Sequence, residues 1–353
     1  MRSSTFVLPT GVVLAAVLAF VSSPAQADKV FYRGPGDKSV ELDVRVVGQA
    51  GRMTVLEMPD GQYKLLPTAA IEKRQEEDGP EPLSSDAMVA ELQRQFGADR
   101  FCSSVQAPFV MGLVLSGPLP RGSEARAANL LQQVAAFMKN VDSAFNRYVK
   151  DARIPAKPAQ FPLVVLIFES RADFEKYLAP MLQGTDVSTK QIGGFYHGMT
   201  NYLVLYLDQC RKFDVALHEA IHQQVYNRNL FQRLAPIPKW FDEGLATGFE
   251  ANQGKINVGP GKISLRYAEL ALKESKFYWS EMLVDDELFN SPDLLGEAYG
   301  NAWGLHWLLV TKYRSQYGEY LRCLAKKKAL TKYPREERLE DFRQAIGKDP
   351  DEL

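Results

Sequence analysis

The chain has 353 residues, of which 46% are hydrophobic and 24% charged, and its formal net charge is -1. This composition is typical of a globular protein with a core large enough for two or three domains. The near-neutral charge provides no electrostatic footprint for nucleic acid, so we expect no nucleic-acid partner.

The amino end predicts an export signal. Arg2 precedes an apolar run from Gly11 to Val21, and residues 24–28 read PAQAD, an Ala-x-Ala cleavage pattern. We therefore expect a signal peptide over residues 1–27 and a mature protein in the periplasm or outside the cell. The apolar run is short for a membrane span, so we expect no stable membrane insertion after cleavage. An uncleaved amino-terminal anchor is the alternative.

A small β module is predicted over residues 28–72. Residues 39–46, SVELDVRV, alternate apolar and polar side chains, and a turn at Asp60 and Gly61 precedes another short strand. So short a module can bury only a modest core, and we expect a barrel-like unit that rests on something larger. The charged, proline-containing stretch EKRQEEDGPEP then predicts a linker, placed at residues 73–85.

Residues 86–353 alternate helical and strand patterns and predict one larger α+β domain. Helices are expected at 86–96, 123–149, 171–178, 214–227, from 238, and at 266–276, 297–312 and 317–329. Strands are expected at 108–117 and 161–170, followed by a hairpin over 192–208. Cys102, Cys210 and Cys323 permit at most one disulfide, and three thiols buried like small hydrophobic side chains are the simpler interpretation.

Two of the four histidines of the chain lie in the stretch LHEAIHQ, residues 217–223. On a helix, residues four apart lie on one face, so His218 and His222 can bind one metal ion. Glu219 beside them could take a proton from water that the metal activates. This is the pattern H-E-x-x-H, which also arises by chance in unrelated helices.

A zinc hydrolase needs a third protein ligand and an open fourth position. The stretch PKWFDEGLA, residues 238–246, offers Glu243 on a second helix that begins near Pro238. The neighbouring Asp242 is the competing candidate, and helical periodicity alone favours Glu243 only slightly.

The paired motifs H-E-x-x-H and W-x-x-E-G-x-A resemble those of the gluzincin metallopeptidases. Over about residues 95–345 the chain also resembles an exported bacterial family of peptidase-like proteins of uncharacterised function. The resemblance implies a zincin-like fold, one zinc ion held by His218, His222 and Glu243, and Glu219 as the general base. The implied activity is hydrolysis of peptide bonds in a peptide or protein substrate. The β module in turn resembles SH3-like modules, which implies a targeting or peptide-binding role.

Further site residues follow from this resemblance and from mechanism. Tyr299, at the head of a late helix, is expected to donate to the oxyanion of the transition state, with simple packing as the alternative. Thr247 is expected to accept the second N–H of a metal-bound histidine, or else only to pack within its helix. The edge strand of gluzincins pairs with substrate, which places Gly194, Phe195, Tyr196 and His197 along the cleft. His197 could equally be a solvated loop residue.

Two other functions use the same residues. A zinc-containing binding or scaffold protein would keep the site without turnover, although a purely structural site has no use for Glu219 and favours four protein ligands. A zinc amidase acting on non-protein amides is the other alternative. His306, flanked by Trp303 and Trp307, is expected to be structural.

Overall fold

The computed structural model describes residues 26–34, 36, 38–78, 81–182, 189–211, 213–250 and 255–353. Within this part, the chain is a mixed α+β protein with two five-stranded sheets. The predicted signal peptide lies outside the described residues except for Gln26 and Ala27, which begin the first strand. A cut after Ala27 would leave that strand from Asp28 onward.

The amino-terminal sheet is antiparallel and has the strand order β4-β3-β2-β1-β5. Its strands are β1 Gln26–Arg33, β2 Ser39–Ala50, β3 Met53–Glu57, β4 Tyr63–Pro67 and β5 Ile71–Asp78. Val30, Val44 and Leu56 are fully buried at its centre. The described strands form no closed barrel, so the structure gives an open sheet where the sequence predicted a barrel-like unit.

The predicted linker over residues 73–85 is wrong in its first half. Residues 71–78 form β5, which pairs antiparallel along β1, and the ion pair between Arg74 and Asp28 spans 2.6 Å. The charged sequence concealed this strand because an edge strand exposes much of its surface to water and can carry charged side chains. The amino-terminal module therefore extends past residue 72.

The second sheet has the order β6-β7-β8-β10-β9. Its strands are β6 Phe101–Gln106, β7 Phe109–Val114, β8 Leu163–Phe168, β9 Gly194–His197 and β10 Tyr202–Tyr206. The central strands β7, β8 and β10 are parallel, and the edge strands β6 and β9 run antiparallel to their neighbours. All six residues of β8 are buried, as expected for a strand covered on both faces.

Ten α-helices lie in the described residues: α1 Ser85–Phe96, α2 Glu124–Asp151, α3 Arg171–Leu178, α4 Asp214–Asn227, α5 Lys239–Thr247, α6 Leu265–Ala271, α7 Trp279–Val284, α8 Leu295–Lys312, α9 Arg314–Leu324 and α10 Arg335–Ile346. Alternate residues of β8 face opposite layers. Val164 and Leu166 pack with the apolar residues of α1 and α3, whereas Val165 and Ile167 belong to the larger core that includes α2 and α4. The sheet thereby fixes the position of α4.

The hairpin and α4 lie where the sequence predicted them, and β6, α7 and α10 were not predicted. All three cysteines are free thiols, and Cys210 is the most buried of them. In the described part of the chain, none of the helices has both the length and the apolar character needed to cross a membrane.

Candidate metal centre

The centre of the site is one face of α4. His218 and His222 are one turn apart, and their side chains are only 12% and 10% exposed. Their Nε2 atoms are 3.2 Å apart, and the rings meet edge to face. The helical spacing read from the sequence therefore brings the two imidazoles to one point.

Glu243 supplies a third ligand atom from α5. Its Oε2 lies 2.9 Å from His218 Nε2 and 3.7 Å from His222 Nε2. Tetrahedral ligands at the distances usual for a metal such as zinc are roughly 3.3–3.5 Å from one another. All three donor atoms lie within 4.8 Å of one another, so His218, His222 and Glu243 could hold one metal ion.

The position of α5 depends on two residues of its motif. Pro238 occupies the N-cap position, and its ring restricts the backbone just before the helix begins at Lys239. Gly244 lets α5 approach α8, because a Cβ at this position would lie 2.5 Å from His306 Nδ1 and 2.7 Å from the Ala302 carbonyl oxygen. The glycine of W-x-x-E-G-x-A is therefore a packing requirement.

Two further carboxylates hold the histidine rings. Glu250 Oε1 lies 3.1 Å from His218 Nδ1, and Asp242 Oδ1 lies 3.2 Å from His222 Nδ1. Tyr267 donates to Glu250 at 2.7 Å, and Tyr226 donates to Asp242 at 2.8 Å. With both Nδ1 atoms occupied by carboxylates, both Nε2 atoms point at the cluster, as a metal site requires.

Thr247 packs within its own helix, which is the alternative expected for it, and does not hold a histidine ring in this structure. Its buried hydroxyl donates to the Gly244 carbonyl at 2.9 Å, and the Nδ1 atoms of both histidines have carboxylate partners instead. Asp242, the competing ligand candidate in the sequence, is the carboxylate partner of the His222 Nδ1 atom. Glu250 was missed because it lies beyond the end of α5, where helical periodicity no longer places a side chain.

The charges of the cluster alter the pKa values of its members. Burial opposes protonation of His218, but hydrogen bonds with Glu243 and Glu250 raise its pKa to about 9. Burial also disfavours the Glu243 carboxylate, yet hydrogen bonds from both histidines hold its pKa well below the ordinary value. With these pKa values the imidazoles are protonated at neutral pH. A metal ion that binds here would have to displace those protons.

Glu219 lies beside the cluster and is not one of its ligands. Its Oε2 accepts a hydrogen bond of 2.8 Å from the backbone N–H of Tyr196 on β9, and burial raises the pKa of the carboxyl group. A carboxylate with a raised pKa and a fixed position is a suitable general base.

Tyr299, in the second turn of α8, donates to Glu243 Oε2 at 2.9 Å. Burial and the nearby Glu243 carboxylate raise its pKa, so the phenol keeps its proton and remains a donor. Tyr299 lines a cavity of about 360 Å³ together with Tyr196, Glu219 and the three ligand residues. The structure thus brings the predicted catalytic residues and ligands to one cavity, which we call the metal cavity.

Of the four predicted substrate-binding residues, only Tyr196 lines the metal cavity. Phe195 packs against Phe174 on the covered side of the sheet. His197 pairs with Thr200 at 3.2 Å within the hairpin turn, and burial lowers its pKa. A Cβ at Gly194 would lie 2.6 Å from the Leu205 side chain, so the close approach there comes from this chain itself.

The geometry defines a cluster of two histidines and one glutamate that could hold a metal ion, with an adjacent carboxylate. A family model described as "Protein of unknown function (DUF1570)" matches residues 214–331, which is less than half of the chain. The matched segment begins at the first residue of α4 and includes the three ligand residues, Glu250 and Tyr299. A search of curated proteins finds no match to this chain.

Proposed function

We propose that this protein is a zinc-dependent metallopeptidase of the gluzincin type, with a zincin-like domain over residues 86–353. The observation that carries the proposal is the convergence of the His218, His222 and Glu243 ligand atoms to within 4.8 Å of one another. Glu219 and Tyr299 line the same cavity, so a base and a neutral donor accompany the ligands.

Two nitrogens, one carboxylate oxygen and an outer carboxylate on each histidine suit zinc in a catalytic site. Bound there, zinc would acidify water and polarise a substrate carbonyl. A site with three protein ligands leaves room for substrate, whereas a structural zinc site favours four. The donor set therefore supports catalysis over a purely structural ion.

The roles of the chain's own residues follow from their positions. Glu219 takes a proton from the attacking water and delivers it to the leaving nitrogen, and its hydrogen bond to the Tyr196 backbone keeps the carboxylate in place. Tyr299 turns its hydroxyl from Glu243 to the oxyanion that develops on the substrate. A peptide substrate pairs with the edge of β9 that faces away from β10, which places its scissile bond near Glu219.

The remaining parts of the proposal concern the amino-terminal sheet and location. Five antiparallel strands and a small core are compatible with an SH3-like module of targeting or peptide-binding function. The apolar run and the Ala-x-Ala pattern before Asp28 support export to the periplasm or the medium.

The test is elemental analysis of purified residues 28–353 combined with hydrolysis of a quenched peptide library. Wild type is expected to hold about one zinc and to cleave peptides, and Glu243→Ala is expected to lose both. Glu269→Ala, which removes an exposed acid on α6, serves as the matched control and should change neither. Zinc without cleavage of any peptide would favour a binding protein or an amidase for other substrates, and absence of zinc would reject all three.

A further inference from the structure

A second cavity, of about 460 Å³, lies between the amino-terminal sheet and the larger domain over residues 86–353. Its walls come from both, with Arg45, Glu57 and Tyr63 from the sheet and Lys157 and Arg233 from the larger domain. Its volume falls in the range of roughly 300–1,000 Å³ that is typical of ligand pockets. We call it the junction cavity.

The charges around the junction cavity do not balance. Glu57 pairs with Arg233 at 2.8 Å, both side chains being only 5% exposed, and the same carboxylate pairs with Arg45 through its other oxygen. Lys157 adds a third cation, and Glu57 is the single acid among the described lining residues. Nearby Arg228 is neutralised by Asp142 at 2.9 Å and contributes no net charge.

Glu57 and Arg233 form a buried pair, so the excess positive charge lies on Arg45, whose side chain is 33% exposed, and on the exposed Lys157. The Arg233 guanidinium also lies 3.6 Å from the centre of the Tyr63 ring, which fixes its plane. The two terminal nitrogens of Arg233 bond to Glu57 and to the Gly198 carbonyl, so this residue supplies a fixed positive charge at the wall of the cavity. The junction cavity is therefore prepared for an anion.

The junction cavity adjoins the metal cavity, because Tyr226 and Arg233 line both. Arg233 also donates to the carbonyl of Gly198 at 3.1 Å, and Gly198 directly follows the last residue of β9. A peptide lying along β9 and continuing past Gly198 would reach Arg233 and then the junction cavity. This route connects the anion site to the place where the substrate is expected.

We infer that the junction cavity is a substrate subsite that binds a carboxylate of the peptide, with Arg45, Lys157 and Arg233 as its cationic residues. This inference depends on the proposed peptidase function. It gives the amino-terminal sheet a direct role in substrate selection, since Arg45 and Glu57 belong to that sheet. The carboxylate comes either from an acidic side chain or from the peptide's carboxyl terminus.

The experiment measures binding without turnover. The zinc-loaded full chain carrying Glu219→Gln is titrated with fluorescein-labelled hexapeptides at constant salt, and fluorescence anisotropy gives each Kd. One set carries Glu at each position in turn with an amidated end, a second carries Gln instead, and a third carries Gln with a free carboxyl terminus. We expect the best carboxylate-bearing peptide to bind about tenfold more tightly than its neutral partner.

Arg45→Gln and Lys157→Gln, alone and together, should bring this ratio of affinities close to one. Arg45→Gln leaves the Glu57–Arg233 pair intact and neutral, so the variant should fold, which circular dichroism would check. Arg52→Gln is the matched control, because Arg52 is an exposed arginine in the turn between β2 and β3 that lies outside the lining of the cavity. It should preserve the ratio.

Preference for the Glu set assigns the site to an acidic side chain, and preference for the free-terminus set assigns it to the chain end. Equal binding of all three peptide sets would overturn the inference. A loss of preference in Arg52→Gln as large as that in Arg45→Gln would also overturn it. Carboxylate-dependent binding in a wild-type protein that cleaves no peptide would retain the subsite and reject the proposed hydrolysis.

Discussion

The two faces of α5 have opposite environments. One face carries Asp242 and Glu243, which meet the histidines of α4. The other carries Trp240 and Phe241, which pack against aromatic rings and against His306 of α8, the Phe241 and His306 ring centres being 4.5 Å apart. A single nine-residue helix therefore separates a charged cluster from an aromatic layer.

The pKa values of two buried histidines show the effect of these two environments. Burial lowers the pKa of His306 to about 3, although a hydrogen bond with the Ala302 carbonyl opposes this shift. His218 is also buried, but its carboxylate neighbours raise its pKa to about 9. Apolar packing explains why His306 is fully buried. A buried cluster of opposite charges gains little from packing, and such clusters are typical of functional sites.

The largest expected effect is on the charged face. Glu219→Gln should lower kcat by about 10³-fold, because the amide cannot accept a proton from water. Zinc content should remain that of wild type, since Glu219 is not a ligand. Steady-state kinetics and elemental analysis on the same samples check both statements. Hydrolysis at the wild-type rate would show that another group is the base.

On the aromatic face, Gly244→Ala should destabilise the protein by about 1–3 kcal/mol, because the added Cβ forces α5 away from α8. Gly296→Ala on α8 is the control, since a Cβ there meets nothing within 4 Å. That change should be neutral or slightly stabilising. Urea denaturation of the two variants measures the difference, and equal midpoints would contradict the close packing.

The carboxylates of Glu250 and Asp242, which contact the histidine Nδ1 atoms, should strengthen zinc binding. Glu250→Gln and Asp242→Asn are each expected to weaken zinc binding by about 10- to 100-fold, because each removes the negative charge beside an Nδ1–H. Thr247→Val should leave the zinc affinity within about twofold, since its hydroxyl donates to Gly244. Competition with a fluorescent chelator measures the three affinities. A larger loss in Thr247→Val than in Glu250→Gln would reverse the assignment.

The smallest effect concerns pH. The depressed pKa of His306 means that the unfolded chain binds a proton below about pH 6.5 while the folded protein does not until about pH 3. Stability should therefore fall with decreasing pH, by about 2 kcal/mol at pH 5 from this residue. His306→Leu should flatten that part of the stability profile, measured by urea denaturation between pH 7 and pH 4.5. An unchanged slope would contradict the buried, neutral state.

Much of the site was predictable because it lies on regular helices. The spacing of His218 and His222 fixes their common face, and α4 and the hairpin occur where periodicity predicted them. The choice of Glu243 over Asp242 needed the resemblance to gluzincins, since periodicity hardly separates neighbouring residues. The structure places Glu243 in the ligand cluster and Asp242 behind His222.

Other features depend on contacts that are distant in sequence. Glu250 meets His218 across 32 positions, and the pair of Glu57 with Arg233 joins two parts of the chain 176 positions apart. No local pattern encodes such partners. The strand β5 was missed for a different reason, because its charged residues follow from its edge position and conceal its pairing with β1.

The most direct test of the account is X-ray absorption spectroscopy at the zinc edge on the zinc-loaded full chain, with Glu243→Ala alongside. The account predicts two imidazole nitrogens and oxygen ligands at about 2.0–2.2 Å, no sulfur, and loss of this signal in the variant. Sulfur ligands from Cys102, Cys210 or Cys323, or an unchanged spectrum in Glu243→Ala, would contradict a metal site formed by His218, His222 and Glu243.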